Sequence, residues 1–254
     1  MTLPDLLEAD NTDLADPLTL LASACYQWGD CQVIRYDSTR TELFPGPSFL
    51  VDLYERCRTA GGGKLGPLGI LPALFCSMKD LSCEAIVGYL QRCPVIVLGE
   101  WRARPCKHPE RYSADDPRPT YFHSLGFAFV CADPIIAAPH LQPSNRNAIF
   151  AGYGFFDDAW RTPQQTVCMY LGIAFLLQEF RLAAIHGVRY ADNHLTRRFA
   201  SKFGFRDIGT IPNYLYRQST GDLAAGTVST LSRQDFSDLI RRVLISLRGE
   251  TSES

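Results

Sequence analysis

The chain has 254 residues, 46% of them apolar and 20% charged, which is enough apolar material for a substantial core in one large domain or a domain with additions. Its 25 Lys and Arg against 27 Asp and Glu give a formal net charge of −2, so no global field favours nucleic acid or an anionic membrane. No apolar run reaches the roughly 20 residues of a bilayer span, and Met1-Thr2-Leu3-Pro4-Asp5 lacks the basic start of a signal peptide; nine cysteines without one imply a cytoplasmic protein with reduced thiols.

Residues 1–15 are acidic and poor in large apolar side chains, and read as a loose arm. Asp16-Pro17 opens a helix running to Tyr26, and residues 32–36 form a first strand. A helix follows over 48–59, with Phe49, Leu50, Leu53, Tyr54 and Cys57 on one side and Gly61-Gly62-Gly63 as its stop. Gly62-Gly63-Lys64 lacks the preceding strand and the Ser/Thr of a phosphate loop, so the glycines read as a helix-ending turn. Residues 79–92 are helical, 95–101 a β-branched strand, and 121–130 another. The connections 102–120 and 132–146 are polar and proline-rich. Cys106-Lys107-His108 is half of a metal pattern with no second half, so no metal is expected.

Residues 147–156 form a strand whose small residues, Ala151, Gly152 and Gly154, suit a bulge or the close approach of a ligand. Thr162-Pro163-Gln164-Gln165 then opens a helix, with threonine as N-cap, proline in the first turn and Gln165 completing a capping box. The unbroken apolar run 168–177 makes that helix buried on most of its surface, and it fades near Arg181. A strand over 183–190, a helix over 194–203 stopped by Gly204, and renewed extended structure complete a crossover unit with parallel strands. A last strand covers 227–231. The final helix carries Phe236, Leu239, Ile240, Val243, Leu244 and Leu247 at helical spacing.

The segment Asn193-x-x-Thr196-x-Arg198-Phe199-x-x-Lys202-Phe203-Gly204-Phe205-Arg206 resembles the GNAT superfamily of N-acyltransferases. The similarity is greatest to the branch acting on ribosomal-protein N-termini and polyamines. Tyr214-x-Tyr216, Gly221-Asp222 and the run from Leu231 to Phe236 follow in matching order, so the resemblance covers about 147–236. It implies an α/β fold with a mixed, mostly antiparallel central sheet, a splayed parallel strand pair and flanking helices. Residues 1–30 would be an arm and added helix, 31–233 the acyltransferase domain, and 234–254 an added helix and tail.

In that superfamily an acyl thioester enters between the splayed strands, here 147–156 and 183–190, and its pyrophosphate sits on the N-terminus of the following helix, where unpaired N–H groups attract anions. The resemblance implies acetyl-CoA as donor, contacted by Phe155, Phe156, Arg161, Gln164, Gln165, Thr166, Asn193 and Arg198. The family's glycine-rich loop is missing, however, since no glycine lies between Phe155 and Leu171. Two readings stay open for this turn: an anion site built from side chains, or an ordinary capped helix. Asn193 likewise serves as a helix cap or as a contact to the donor.

Acyl transfer needs a neutral amine, a polarised carbonyl and an acid for the leaving thiolate. The tyrosine that many relatives place seven residues after the asparagine is Ala200 here. Asn193, Tyr214 and Asp157 are the expected catalytic residues, with Asp158, Glu100, His123, Tyr153 and Tyr216 as further sources of a proton relay. The expected partner is a small-molecule or peptide amine, with no nucleic acid and no membrane, and a homodimer is left open. An alternative from another class is a GNAT-like binding or assembly module that has lost transfer.

Overall fold

The computed structural model describes residues 16–40, 43–44, 48–103, 120–130 and 148–251, with side chains throughout except at 148–150 and 247–251. The two long connections expected at 102–120 and 132–146 thus fall almost wholly outside the described residues. Helix α1 (Pro17–Ser23) is capped by Asp16, whose carboxylate accepts the Leu18 N–H. Strands β1 (Gln27–Trp28) and β2 (Cys31–Arg35) follow, then α2 (Ser48–Thr59), the short α3 (Leu71–Leu74) and α4 (Cys83–Gln91). Helix α4 starts four residues later than its apolar pattern suggested, because Ser82 takes the N-cap position and bonds the Ala85 N–H.

Strands β3 (Val95–Ala103), β4 (Thr120–Val130) and β5 (Ala148–Phe155) form the middle of the molecule. After them come α5 (Pro163–Glu179), β6 (Ala184–Tyr190), α6 (His194–Lys202), β7 (Arg206–Arg217), β8 (Asp222–Ser232) and α7 (Arg233–Thr251). All eight strands make one sheet in the order β1-β2-β3-β4-β5-β6-β8-β7. Every neighbouring pair is antiparallel except β5 and β6, which are parallel. This is the mixed sheet the sequence resemblance implied, and the parallel pair is the one it named.

Each face of the sheet carries a layer. On one face α2, α3 and α4 enclose Leu53, Cys57, Phe75, Ile86, Phe127 and Phe129. On the other, α5 buries Cys168, Met169, Leu171, Ile173, Ala174, Leu176 and Leu177, which is why its apolar run shows no amphipathic stripe. Helix α7 adds Phe236, Ile240 and Leu244 to the same core at four-residue spacing. Helix α1 packs there too, and the Tyr26 hydroxyl donates to Glu179 Oε1 at 2.6 Å.

Strands β5 and β6 pair over only three residues, Ala148 with Ala184, Ile149 with Ile185 and Phe150 with His186. Beyond Phe150 they part, while β5 continues along β4 to Phe155 and β6 continues along β8 to Tyr190. A gap therefore opens toward the carboxyl ends of two parallel strands, and α5 and α6 both begin at that end. Strand β5 keeps regular register with β4, so its glycines do not mark a bulge.

Candidate functional site

The two walls of the gap differ. On β5, Gly152 and Gly154 face the α2–α4 layer and are tightly backed: a Cβ at Gly152 would lie 2.4 Å from the Phe129 ring, and one at Gly154 2.9 Å from Leu74 Cδ1. On β6, Gly187 faces open space, with nothing within 4 Å of the position a Cβ would take. Strand alternation puts Gly187 on the face of Ile185 and Arg189, toward α5 and α6. From β5, Ala151, Tyr153 and Phe155 share that side. Burial pushes the Tyr153 phenol well above its usual range, and the charge of Arg189 offsets this only in part.

Phe199 of α6 ties this wall together. Its ring lies 6.0 Å from Tyr153, 6.1 Å from Phe155, 6.2 Å from Trp160 and 5.1 Å from Phe203 between centroids. The turn entering α5 is thus held against the middle of α6. Arg189, buried on β6, donates through Nη2 to both carboxylate oxygens of Asp207 at 2.6 and 2.7 Å.

The opposite face of the gap is roofed by residues 71–79. Their main chain is tied to the β6–β7 half of the sheet: the Tyr216 N–H donates to the Cys76 carbonyl at 2.9 Å, and the Tyr190 hydroxyl lies 2.6 Å from the Tyr216 carbonyl and 3.2 Å from that of Pro72. Burial raises the Tyr190 pKa to about 12. Between this strap and the strands lies a cavity of about 30 Å³, lined by Cys76, Met78, Tyr89, Gly152 and Val188 among others, room for one or two waters. No carboxylate or imidazole is among its described lining residues.

The turn entering α5 explains the missing glycines. Arg161 adopts φ of +64°, the left-handed region where glycine is usual. The N–H groups of Ala159, Trp160 and Thr162 donate to the carbonyls of Phe156, Asp157 and Ala159. Gln165 Oε1 accepts the Arg161 N–H at 3.0 Å, and Thr162 Oγ1 accepts the Gln165 N–H at 3.2 Å. The capping box foreseen from sequence is present, reaching one residue further back than usual. Pro163 has no N–H, so between 159 and 165 only the Gln164 amide is left to meet a ligand. A diphosphate cradled by main-chain N–H groups does not fit this turn.

One side chain there does point to a ligand. Gln165 is 5% exposed, and its Nε2 has no hydrogen-bond partner among the described residues. A buried amide donor without an acceptor costs about 1–3 kcal/mol, so an incoming oxygen would relieve it. Together with the open face at Gly187, this fits a thin, oxygen-bearing ligand held through side chains. Gln164, Thr166, Arg161 and Arg198 are exposed around the mouth.

The other expected residues are divided. Asn193 caps α6, its Oδ1 accepting the Thr196 N–H at 3.0 Å. Phe155 and Phe156 are both buried, the latter under the Arg56 guanidinium 3.6 Å from its ring centre. Both carboxylate oxygens of Asp157 accept the Gly61 N–H at 2.8 Å, which commits this residue to holding the glycine turn after α2. Asp158 pairs with His123 Nε2 at 2.6 Å and with Arg56. Tyr214 is half-buried where the β7–β8 register shifts, beside Gly226, the partner of Tyr190. Sequence reasoning missed Arg189, Gly187 and the strap; nothing in their local pattern distinguishes them. None of the seven described cysteines is in a disulfide, and no described helix is long and apolar enough to cross a membrane.

No protein-family model matches the sequence, and neither does any curated protein. Solved structures do resemble it in fold. A Mycobacterium smegmatis RimJ in complex with CoA-disulfide matches with a TM-score of 0.53 at 13% identity, covering 86% of this chain and 90% of that one. A Chromobacterium violaceum protein described as a probable acetyltransferase of the GNAT family matches with a TM-score of 0.51 at 13% identity, over 83% and 87%. The spermidine N-acetyltransferase of Vibrio cholerae, solved with CoA and spermine, matches with a TM-score of 0.50 at 7% identity, over 82% and 98%. The fold is that of the GNAT acetyltransferases.

Proposed function

We propose that the chain is an N-acyltransferase that moves an acetyl or related acyl group from a coenzyme A-type thioester to an amine. The observation that carries this reading is the gap between β5 and β6, with open space at Gly187 and the orphaned Gln165 amide at its mouth. Gln165 Nε2, the Gln164 N–H and the Arg161 guanidinium would hold the donor's phosphate oxygens, and the donor supplies an activated carbonyl. Asn193, its oxygen engaged in the cap, contributes its NH₂ group to the thioester arm. The amine nitrogen forms a bond to the carbonyl carbon, the carbon–sulfur bond breaks, and the proton lost by nitrogen is balanced by one gained at sulfur. Tyr214 is the proposed proton donor to that sulfur. Residues 31–233 form the working domain in this reading, with α1 and α7 bracing α5.

Ala200, where many members of the resembled family carry a tyrosine, and the commitment of Asp157 to Gly61 favour a second reading, in which the chain binds a thioester without turning it over. Calorimetric titration with millimolar acetyl-CoA, followed by a thiol-release assay with polyamines and peptide N-termini as acceptors, separates the two. Saturable heat with amine-dependent thiol release is expected. Heat without thiol release would favour the second reading, and no heat with either acetyl-CoA or acetyl-pantetheine would sink both.

A further inference from the structure

Trp160 and Leu195 are 47% and 80% exposed, and Leu195 stands one helical turn before Phe199, the ring that Trp160 neighbours. Trp160 immediately precedes the turn into α5, and Leu195 lies in the first turn of α6. The Trp160–Phe199 contact at 6.2 Å brings the two elements together at the mouth of the gap. Arg161 follows Trp160 in the chain, and Arg198 and Lys202 lie about one and two turns further along α6 on the side of Leu195, all exposed. Arg197, two residues after Leu195, turns to the other side of α6 and reaches Asp207 at 3.1 Å. No Asp or Glu occurs between Asp158 and Glu179, or between Asp192 and Asp207. The bordering Asp158, Asp192 and Asp207 are paired with Arg56, Arg217 and Arg189, so Arg161, Arg198 and Lys202 leave this end of the sheet locally positive, with an apolar centre.

Free coenzyme A brings a diphosphate, and the turn beside this patch has a single main-chain N–H left to receive it. A phosphopantetheine arm attached to a protein brings one phosphodiester, and its carrier supplies the remaining affinity through its own surface. We infer that the thioester donor is presented by an acidic carrier protein that docks its negative surface on Arg198 and Lys202 and its apolar contact on Trp160 and Leu195, with its phosphodiester at Arg161 and its pantetheine arm in the β5–β6 gap. The inference rests on the acyl-transfer reading above and names its donor. After transfer the carrier leaves with a free thiol, the acyl group being on the amine. An interface of this kind gains association rate and specificity from its charges and affinity from its apolar centre.

The test compares three probes against the full chain: acetylated acyl carrier protein, acetyl-CoA and acetyl-pantetheine. Surface plasmon resonance is expected to show the carrier binding at least about tenfold more tightly than acetyl-CoA, with affinity falling as salt rises from about 50 to about 300 mM. Leu195→Asp should weaken carrier binding by about tenfold or more while leaving acetyl-pantetheine transfer unchanged. Arg198→Glu, a second surface change, should weaken the carrier and flatten its salt dependence. Acetyl-CoA binding as tightly as the carrier, or carrier binding indifferent to both substitutions, would overturn the inference while acetyl-pantetheine transfer keeps the acyl-transfer reading intact. Loss of acetyl-pantetheine transfer in the wild-type chain would remove both.

Discussion

The two strands that bound the gap carry glycines for opposite reasons. On β5, Gly152 and Gly154 are glycine because Phe129 and Leu74 already fill the space where side chains would go. On β6, Gly187 is glycine with nothing in front of it. The first pair keeps β5 pressed against β4 and the aromatic stack of Phe75, Phe127 and Phe129. The second leaves a space that the chain itself does not use. A gap that is rigid on one wall and open on the other admits a ligand without rearranging the core.

That contrast can be broken most forcefully on the β5 side. Gly152→Ala drives a Cβ into a Phe129 ring stacked 5.1 Å from Phe75, so the ring cannot yield cheaply. Chemical denaturation should show a loss of about 2–3 kcal/mol. Next comes the mouth. Arg161→Ala should remove a charge-assisted contact to donor phosphate of about 1.5–3 kcal/mol, read as roughly ten- to hundredfold weaker acetyl-CoA binding with little change in stability.

The strap gives a smaller effect with a pH signature. Tyr190→Phe removes the hydroxyl bond to the Tyr216 carbonyl and should cost about 1 kcal/mol. Burial holds the Tyr190 phenol at a pKa of about 12, against 10.0 for an unperturbed tyrosine. The folded chain thus keeps this proton after the unfolded chain has lost it. Its contribution is complete below pH 10 and fades as pH rises toward 12, so wild type and Tyr190→Phe should converge in stability across that window. Smallest of all, Gly187→Ala should change stability by no more than about 0.5 kcal/mol, because the new methyl meets nothing.

Much of the fold was legible because local chemistry and tertiary structure agree. Helix α2 begins and ends where its apolar face and the Gly61 stop placed it, and Thr162, Gln165 and Asn193 cap as their residue types dictate. Strand β8 is where they diverge: it starts at Asp222, five residues before its β-branched stretch, because Leu223 to Gly226 are held extended by β7 and not by their own preference. The candidate site was legible only as a place. Sequence located the turn at Arg161 and the strands on either side. Which N–H groups that turn consumes, that Gln165 keeps an unmatched donor, and that Asp157 is committed to Gly61 depend on contacts between segments far apart in the chain.

The central claim is that the space beside Gly187 receives the donor's thioester arm, and the most direct test fills it. Gly187→Leu should fold with a melting temperature within about 5 °C of wild type, since the position is open, and calorimetric titration with acetyl-pantetheine should show saturable heat for wild type and none for the variant. Equal binding by a folded Gly187→Leu chain would contradict the account, because the donor would then have to lie somewhere other than the gap.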